Sequence, residues 1–412
     1  MSSKDKCAVA GEQDQQGGLV PKLRFPEFRD APAWELWPLK KLAKRRTRKN
    51  VGAKIDRVLT NSAEHGVVDQ RDYFEKDIAN PGNLDGYFMI EKGDYVYNPR
   101  VSNLAPVGPI HKNDIGLGVM SPLYTVFFFD SAENEFYSHY FKTPHWHQYL
   151  RHVSNSGARH DRMAISADDF ISMPVPVSNP MEQQKIADCL SSIDTLIAAE
   201  ADKLEALKDH KKGLLQQLFP APGETTPRLR FSKFQGAGNW QWKQLGEILT
   251  TIAPPQKLPT SDYQQQGDFP IIDQGQNLIA GWTNDAGSVL MGPLPVVVFG
   301  DHTCTLKFVD FPFAQGADGI KILESSGTMT VDYLYSVLQA YPVNSGEYKR
   351  HFTDLKRNFV AFPDVKTGEQ QMIAKCISSI EKLIILQKDR LEDLDSHKSA
   401  LFNQLFPYIE NY

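Results

Sequence analysis

Two stretches of the chain share one hydrophobic rhythm. Ile186, Leu190, Ile193, Ile197, Leu204, Leu207, Leu214 and Leu218 fall on alternating steps of four and three residues, the spacing of a narrow apolar seam along an α-helix. Ile373, Ile377, Ile380, Ile384, Leu391, Leu394, Leu401 and Leu405 fill the same grid in the second half. Polar residues break both seams at equal depth, Glu200 with Gln387 and Lys211 with Lys398. A helix packed on its own domain shows a broader apolar face, so a seam this narrow predicts that the two helices pair with each other. Each would be about 55 Å long at 1.5 Å per residue, a rod longer than an average domain is wide. Leu-Phe-Pro stops both helices, at Pro220 and Pro407, and the stretch PAPGETTPR leads from the first into the second half.

The rhythm belongs to an internal repeat. Glu182 to Pro220 realigns without a gap on Glu369 to Pro407, with more than half of the positions identical and both copies opening on Glu-Gln-Gln. PKLRFPEF at Pro21 to Phe28 matches PRLRFSKF at Pro227 to Phe234, and Trp34 and Trp240 follow at the same distance. Asn155-Ser156-Gly157 and Asn344-Ser345-Gly346 each stand some two dozen residues ahead of a long helix. Between these markers, Leu42 to Val153 and Leu249 to Val343 show no useful alignment. Repeated frames alternate with unlike inserts.

The inserts read as mixed α/β modules. Phe88 to Asn98, Tyr124 to Asp130, Pro295 to Gly300 and Gly319 to Leu323 are strand-like runs punctuated by glycine and proline, and Val331 to Tyr341 is a helical patch among them. The expected organisation is a disordered tail (1–18), a first domain (19–178), a spacer helix (179–219), a linker (220–226), a second domain (227–365), a second spacer helix (366–406) and a short tail (407–412).

Composition removes several function classes. A chain of 412 residues is long enough for two domains with their own cores. No run approaches the roughly 18 apolar residues of a membrane span, and the polar N-terminal stretch lacks the apolar segment of a secretory signal, so a cytoplasmic protein with no membrane partner is expected. Cys7, Cys189, Cys304 and Cys376 are far apart and form no Cys-x-x-Cys pair, which argues against zinc and against a disulfide framework. A net charge of −5 excludes a uniformly basic coat but leaves room for local basic surfaces.

With its two EQQ-led helices ending in Leu-Phe-Pro and its LRFPEF opening repeated as LRFSKF, the chain resembles the specificity (S) subunits of Type I restriction–modification systems. The resemblance covers nearly everything after about residue 20. GDYVYNPRVSN followed by VMSPLYTVF is similar to one common type of target-recognition domain, and FGDHTCTLKFVDFPFAQGADGIKIL (Phe299 to Leu323) to another. The resemblance implies an α/β (α+β) fold with two target-recognition domains, joined by two long helices that form an antiparallel coiled coil, with an internal pseudo-twofold repeat. It implies that each domain reads one half of a split duplex DNA target. Methylase (M) subunits, two per S subunit, would dock around this scaffold and bring S-adenosylmethionine, and motor–nuclease (R) subunits would cut. The chain itself would be no enzyme and would hold no cofactor and no metal. Two other classes compete with this one: a coiled-coil scaffold that never touches DNA, and a stand-alone DNA methyltransferase.

Candidate DNA contacts come from charge clusters. Lys40, Lys41, Lys44, Arg45, Arg46, Arg48 and Lys49 put seven positive charges into ten residues with no acidic residue among them, which favours a polyanion over a solvated helix face. Arg159, His160 and Arg162 follow the first Asn-Ser-Gly, and Lys349, Arg350, His351, Lys356 and Arg357 take the comparable place after the second. Basic clusters at matching places in unrelated inserts suit phosphate anchoring. Asn98, Arg100, Asn103, Gln274 and Gln276 are residue types that read base edges. Ser121-Pro122-Leu123-Tyr124 is similar to the tetrapeptide of amino-methyltransferases, but Leu123 replaces its second proline and no glycine-rich cofactor turn accompanies it. Asp301-His302 and His145-Trp146-His147 lack companion ligands at metal spacing, and Pro363-Asp364 with Lys366 sits in the repeated frame, where a structural role is expected.

Overall fold

The computed structural model describes residues 18–74, 81–131, 134–154, 161–316, 319–343 and 350–409. Arg159, His160, Lys349, Cys7, both Asn-Ser-Gly sequences and the stretch before residue 18 lie outside the described residues. The two periodic stretches form helices Pro180–Leu218 and Glu369–Leu405. The chain divides into two units, Met1–Ala198 with Glu392–Tyr412, and Ala199–Leu391. Each unit therefore combines one insert, the start of one long helix and the end of the other.

Helix pairing within each unit is antiparallel and explains both polar breaks in the seam. In the second unit Lys211 Nζ meets Glu381 at 2.7 Å, and Gln387 Nε2 donates to the Glu200 carboxylate at 2.6 Å and to its carbonyl at 2.9 Å. In the first unit Lys398 pairs with Asp194, the equivalent of Glu381 in the repeat. Hydrogen bonding from Gln387 and the nearby Arg390, 2.7 Å away, hold the Glu200 carboxyl below its usual range. A pair of polar side chains satisfied only in one alignment fixes the register of an otherwise uniform apolar seam.

The seam positions do not all face a partner helix alone. Ile186 and Leu190 are buried in the first unit's core with Trp34, Phe136, Tyr140, Leu405 and Phe406, and Ile373 and Ile377 lie in the second unit's core with Leu218, Phe219, Tyr333 and Leu334. Ile193, Ile197, Leu207, Ile380, Ile384, Leu391 and Leu394, in the middle of the rods, are only half-buried, with Leu204 buried among them. The ends of each helix are thus wider apolar stripes that belong to a domain, and the heptad seam proper is confined to the central turns.

What fastens each helix start is the same in both units. Arg24 lays its guanidinium along the buried Glu182 carboxylate, Nε to Oε1 at 2.6 Å and Nη2 to Oε2 at 2.8 Å, and also donates to the carbonyls of Ala31 and Pro32. Arg230 repeats the fork on Glu369 at 2.7 and 2.7 Å and donates to Ala237 and Gly238. Leu23 N bonds the Gln404 carbonyl, and Leu229 N bonds the Gln217 carbonyl, both at 2.9 Å, so the same segment ties a helix start to a helix end. The Trp34 indole adds a bond to Glu182 at 3.0 Å. The first glutamine of the second Glu-Gln-Gln, Gln370, holds the carbonyls of Thr328 and Pro363.

Short antiparallel ribbons close the inserts, Glu35–Pro38 against Pro174–Val177 and Gln241–Gln244 against Phe359–Phe362. Inside them the two inserts share a topology that their sequences hide. The first unit orders strands Ala43–Arg45, Thr125–Phe129, Tyr95–Tyr97 and Ile110–Lys112 across one sheet. The second orders Leu249–Ile252, Ile320–Ser325, Val296–Gly300 and Leu306–Val309 the same way. In both, the first strand pairs with the last and a central hairpin completes the sheet. Around this common sheet the units diverge. The first carries the hairpin Leu59–Ser62 with Gly66–Asp69 and the antiparallel strand pair Phe88–Ile90 with Gly118–Met120, whereas the second carries a separate five-stranded sheet. Among the described residues no helix is long and apolar enough to cross a membrane.

Breaking the fork should be costly, because removing one partner of a buried ion pair leaves the other charge without compensation. Glu182 and Arg24 side chains are 1% and 8% exposed, and Arg24→Met is expected to cost roughly 3–5 kcal/mol. Thermal unfolding of Arg24→Met and Arg230→Met should show a lowered midpoint for each, and unchanged midpoints in both would remove the fork from any structural role.

Candidate nucleic-acid interface

The basic run of the first unit is not a helix face. Leu39–Lys41 form one 3-10 turn and Ala43–Arg45 an edge strand, with Ala43 buried and Lys44 and Arg45 exposed. Ala43 and Lys44 point to opposite faces of the strand, core and solvent, while Arg45, on the side of Ala43, is exposed because the strand ends there. Farther along, Met89 N bonds the Arg48 carbonyl and Asn50 N bonds that of Tyr87, leaving the Arg48 and Lys49 side chains exposed beside strand Phe88–Ile90. Lys44 reaches Asp130 at 2.7 Å on the surface, and Lys41 lies over the Trp37 ring. Arg46 is placed differently. Its guanidinium lies 2.6 Å from Asp94 and 3.2 Å from Glu91 and rests on the Phe128 ring. Its charge is taken up by the fold, whereas Lys40, Lys41, Lys44, Arg45, Arg48 and Lys49 are exposed, Lys44 within its surface pair to Asp130.

Arg100 and Arg162, far apart in sequence, face each other across an antiparallel bridge, with Val101 N bonded to the Asp161 carbonyl and Met163 N to that of Pro99. Just beyond, Arg100, Ser102, Asn103 and Leu104 are exposed at the tip of a loop whose base is tied by the buried Asn61. Asn61 Nδ2 donates to the carbonyls of Val96 at 2.7 Å and Pro109 at 3.2 Å, and its own carbonyl accepts from Asn98 Nδ2 at 2.9 Å. Its Oδ1 meets His111 Nδ1 at 2.7 Å. Because that oxygen can only accept, the network assigns the proton of a neutral His111 to Nδ1. Burial, with help from the Lys142 charge, lowers His111 to about 4. Gly108 lets the strand return past Asn98. With φ +83°, it leaves a Cβ only 2.0 Å from the Asn98 carbonyl oxygen, so no other residue fits.

In the second unit Lys356 and Arg357 are exposed on the last turn of helix Phe352–Arg357, and Arg350 is exposed just before it. Lys356 and Lys321 both approach the Phe352 ring, at 5.2 and 5.6 Å, which adds Lys321 to the basic face. Asp301 supports this helix. Its carboxylate accepts from Phe352 N and its carbonyl from His351 N, both at 2.7 Å, so Asp301 belongs to scaffolding. A second exposed feature is the loop after strand Phe269–Ile272. Lys307, only 4% exposed, donates from Nζ to the carbonyls of Asp273 at 2.7 Å and Asn277 at 2.5 Å. Burial lowers the pKa of this ammonium while Asp273, 3.7 Å away, raises it. Thr303 Oγ1 ties the Gln274 carbonyl at 2.9 Å. The Gln274 side chain packs under Gly319, whereas Gln276 and Asn277 are exposed.

Several of these residues have no sequence signal. Asn61, His111, Lys307 and Lys321 stand alone in the chain, and only the fold shows what they hold. Among the described residues no group of three or more His, Cys, Asp or Glu is placed to hold a metal. His145 and Trp146 are buried in the first unit, and Tyr124 of the Ser-Pro-Leu-Tyr stretch bonds Thr60 at 3.1 Å. Asp364 caps the turn Val365–Thr367 through Lys366 N at 2.9 Å.

No family profile matches the chain. Among curated proteins, the Type I restriction enzyme EcoR124I/EcoR124II specificity subunit of Escherichia coli is 26% identical over 159 residues, 38% of this chain and 37% of that protein. The putative type I restriction enzyme MjaX specificity subunit of Methanocaldococcus jannaschii is 26% identical over 259 residues, 60% of this chain and 61% of that protein. The chain therefore matches less than two thirds of the length of either relative. Among solved structures, the Type-I restriction-modification system S subunit from M. genitalium aligns with TM-score 0.60 over 95% of this chain and 100% of that one, at 14% identity. The chain has the fold of a type I specificity subunit. A chain from a structure describing complex assembly and conformational transition of the type I R-M system aligns with TM-score 0.53 over 91% of this chain and 98% of that one, at 16% identity. The specificity-subunit fold accounts for the antiparallel helices and for the duplicated α/β units.

One buried and two half-buried histidines give the first unit a pH dependence. His111, His139 and His147 are each lowered by burial to about 4 from a usual 6.5. The unfolded chain then takes up protons first as pH falls, so stability is full above about pH 6.5 and is lost progressively toward about pH 4. The thermal unfolding midpoint should fall across that window, and His111→Gln should flatten the slope. A midpoint indifferent to pH there would contradict the neutral assignment.

Proposed function

We propose that the chain is the DNA sequence-recognition subunit of a type I restriction–modification complex, binding a bipartite duplex target. The observation that carries this reading is the duplicated frame around unlike inserts. The same arginine–glutamate fork and the same four-stranded sheet recur, while the exposed loops differ completely. Two identical partner subunits need identical frames, and two different half-sites need different loops.

In this reading the target-recognition domains are residues 19–178 and 227–365, the spacer helices are 179–219 and 366–406, and the stretch 220–226 links the halves. Phosphates are anchored by Lys44, Arg45, Arg48, Lys49, Arg100 and Arg162 in the first domain and by Arg350, Lys356 and Arg357 in the second. Arg159 and Lys349 belong to the same clusters by sequence. The frame carries two methylase subunits, which supply S-adenosylmethionine and the chemistry, and motor–nuclease subunits join the same cytoplasmic assembly. The chain supplies the address and needs no cofactor or metal of its own.

Reconstitution tests this directly. The purified chain alone should neither methylate nor cut DNA, and adding its methylase should give adenine methylation at one bipartite sequence, read by sequencing modified bases. Turnover by the isolated chain would make it an enzyme, and methylation without sequence preference would leave it a scaffold.

A further inference from the structure

The loop held by Lys307 is built in an unusual way for a surface turn. Residues 274–278 carry no charged side chain, and Gln276, Asn277 and Leu278 are exposed. Yet the loop is closed around an ammonium that the fold buries, bonded to the carbonyls at both of its ends. Burying an ammonium is unfavourable unless its donors are satisfied, so the arrangement gains sense only if the loop's conformation matters. Thr303 fixes a third point at the Gln274 carbonyl. A side chain presented from such a preorganised loop loses little freedom on meeting a ligand.

The chemistry on offer is specific. Gln and Asn amides pair a donor with an acceptor, the pattern that matches adenine N7 and N6 in the major groove, and an apolar side chain beside them suits the thymine methyl. The chain continues from this loop into strand Gly281–Thr283, which lines a shallow recess of about 350 Å³ with Tyr263, Gln264, Gln265 and Trp282. The loop joins two strands of the five-stranded sheet, Phe269–Ile272 and Gly281–Thr283, which is outside the four-stranded sheet that the two units share, so the common frame does not require it.

We propose that Gln276 and Asn277 read an A·T base pair in the half-site bound by the second unit, with Leu278 against the thymine methyl and Lys307 as the positioning residue. The inference rests on the proposed DNA-recognition function and adds to it the residues and the base pair.

The test uses the full chain assembled with its methylase, selecting bound duplexes from a random pool and mapping methylated sites in cells. Gln276→Ala and Asn277→Ala, both at exposed positions, should each reduce discrimination at one A·T position of one half-site by roughly tenfold or more. The other half-site should stay intact. Lys307→Met should relax that same position, whereas a merely structural lysine would lower affinity for all sequences evenly. An unchanged target for both alanine variants would overturn the inference while leaving the proposed function standing. A wild-type complex with no sequence preference would overturn the function itself. Relaxation at a G·C position would refute the base assignment.

Discussion

The arginine–glutamate fork at the start of each long helix is the contact on which both units depend. Arg24 and Arg230 each bring together the Leu-Arg-Phe segment, the nearby loop before Trp34 or Trp240, and the first turn of a helix that lies 158 or 139 residues farther along the chain. The glutamates are fully buried, so the fold tolerates them only with the arginine in place. Through the neighbouring backbone bond to Gln404 or Gln217, the same segment grips the end of the opposite helix. One polar knot thereby sets where a helix begins, which helix end lies beside it, and where the insert starts.

A second constraint works along the rods. An apolar heptad seam is indifferent to slippage by whole repeats, so the Lys211–Glu381, Lys398–Asp194 and Glu200–Gln387 pairs give it one alignment. Because the ends of each rod are embedded in domain cores, a slipped register would also pull Ile186 and Ile373 out of place. Fork, polar pairs and core agree on one arrangement, leaving the loops between the strands free to differ.

The repeated parts were legible in the sequence because repetition is itself a signal. The two helices, their mutual pairing, their polar breaks, and runs such as Val296–Gly300 and Val331–Ala340 followed from period and punctuation. The fork was not legible as a contact, although its residues stand in the two most conspicuous motifs, because nothing in a sequence says that Arg24 reaches Glu182. The shared strand order of the inserts was hidden for another reason. Short strands of three to six residues tolerate almost any apolar residue, so topology persisted where identity vanished. Arg46 shows the limit of counting charges. It stands in the densest basic run, yet Asp94 and Glu91, more than forty positions away, take up its charge.

In this account, frame and reader are separable. The frame is fixed by buried polar contacts that recur, and under the proposed function each reader is an insert whose exposed loops would answer to one half-site. The most direct measurement is the methylated sequence in cells whose chain carries the insert from about Leu249 to Val343 replaced by that of a relative. The account predicts that one half of the target changes while the other half persists unaltered. Simultaneous change of both halves would contradict it, because the two units would then read DNA as one.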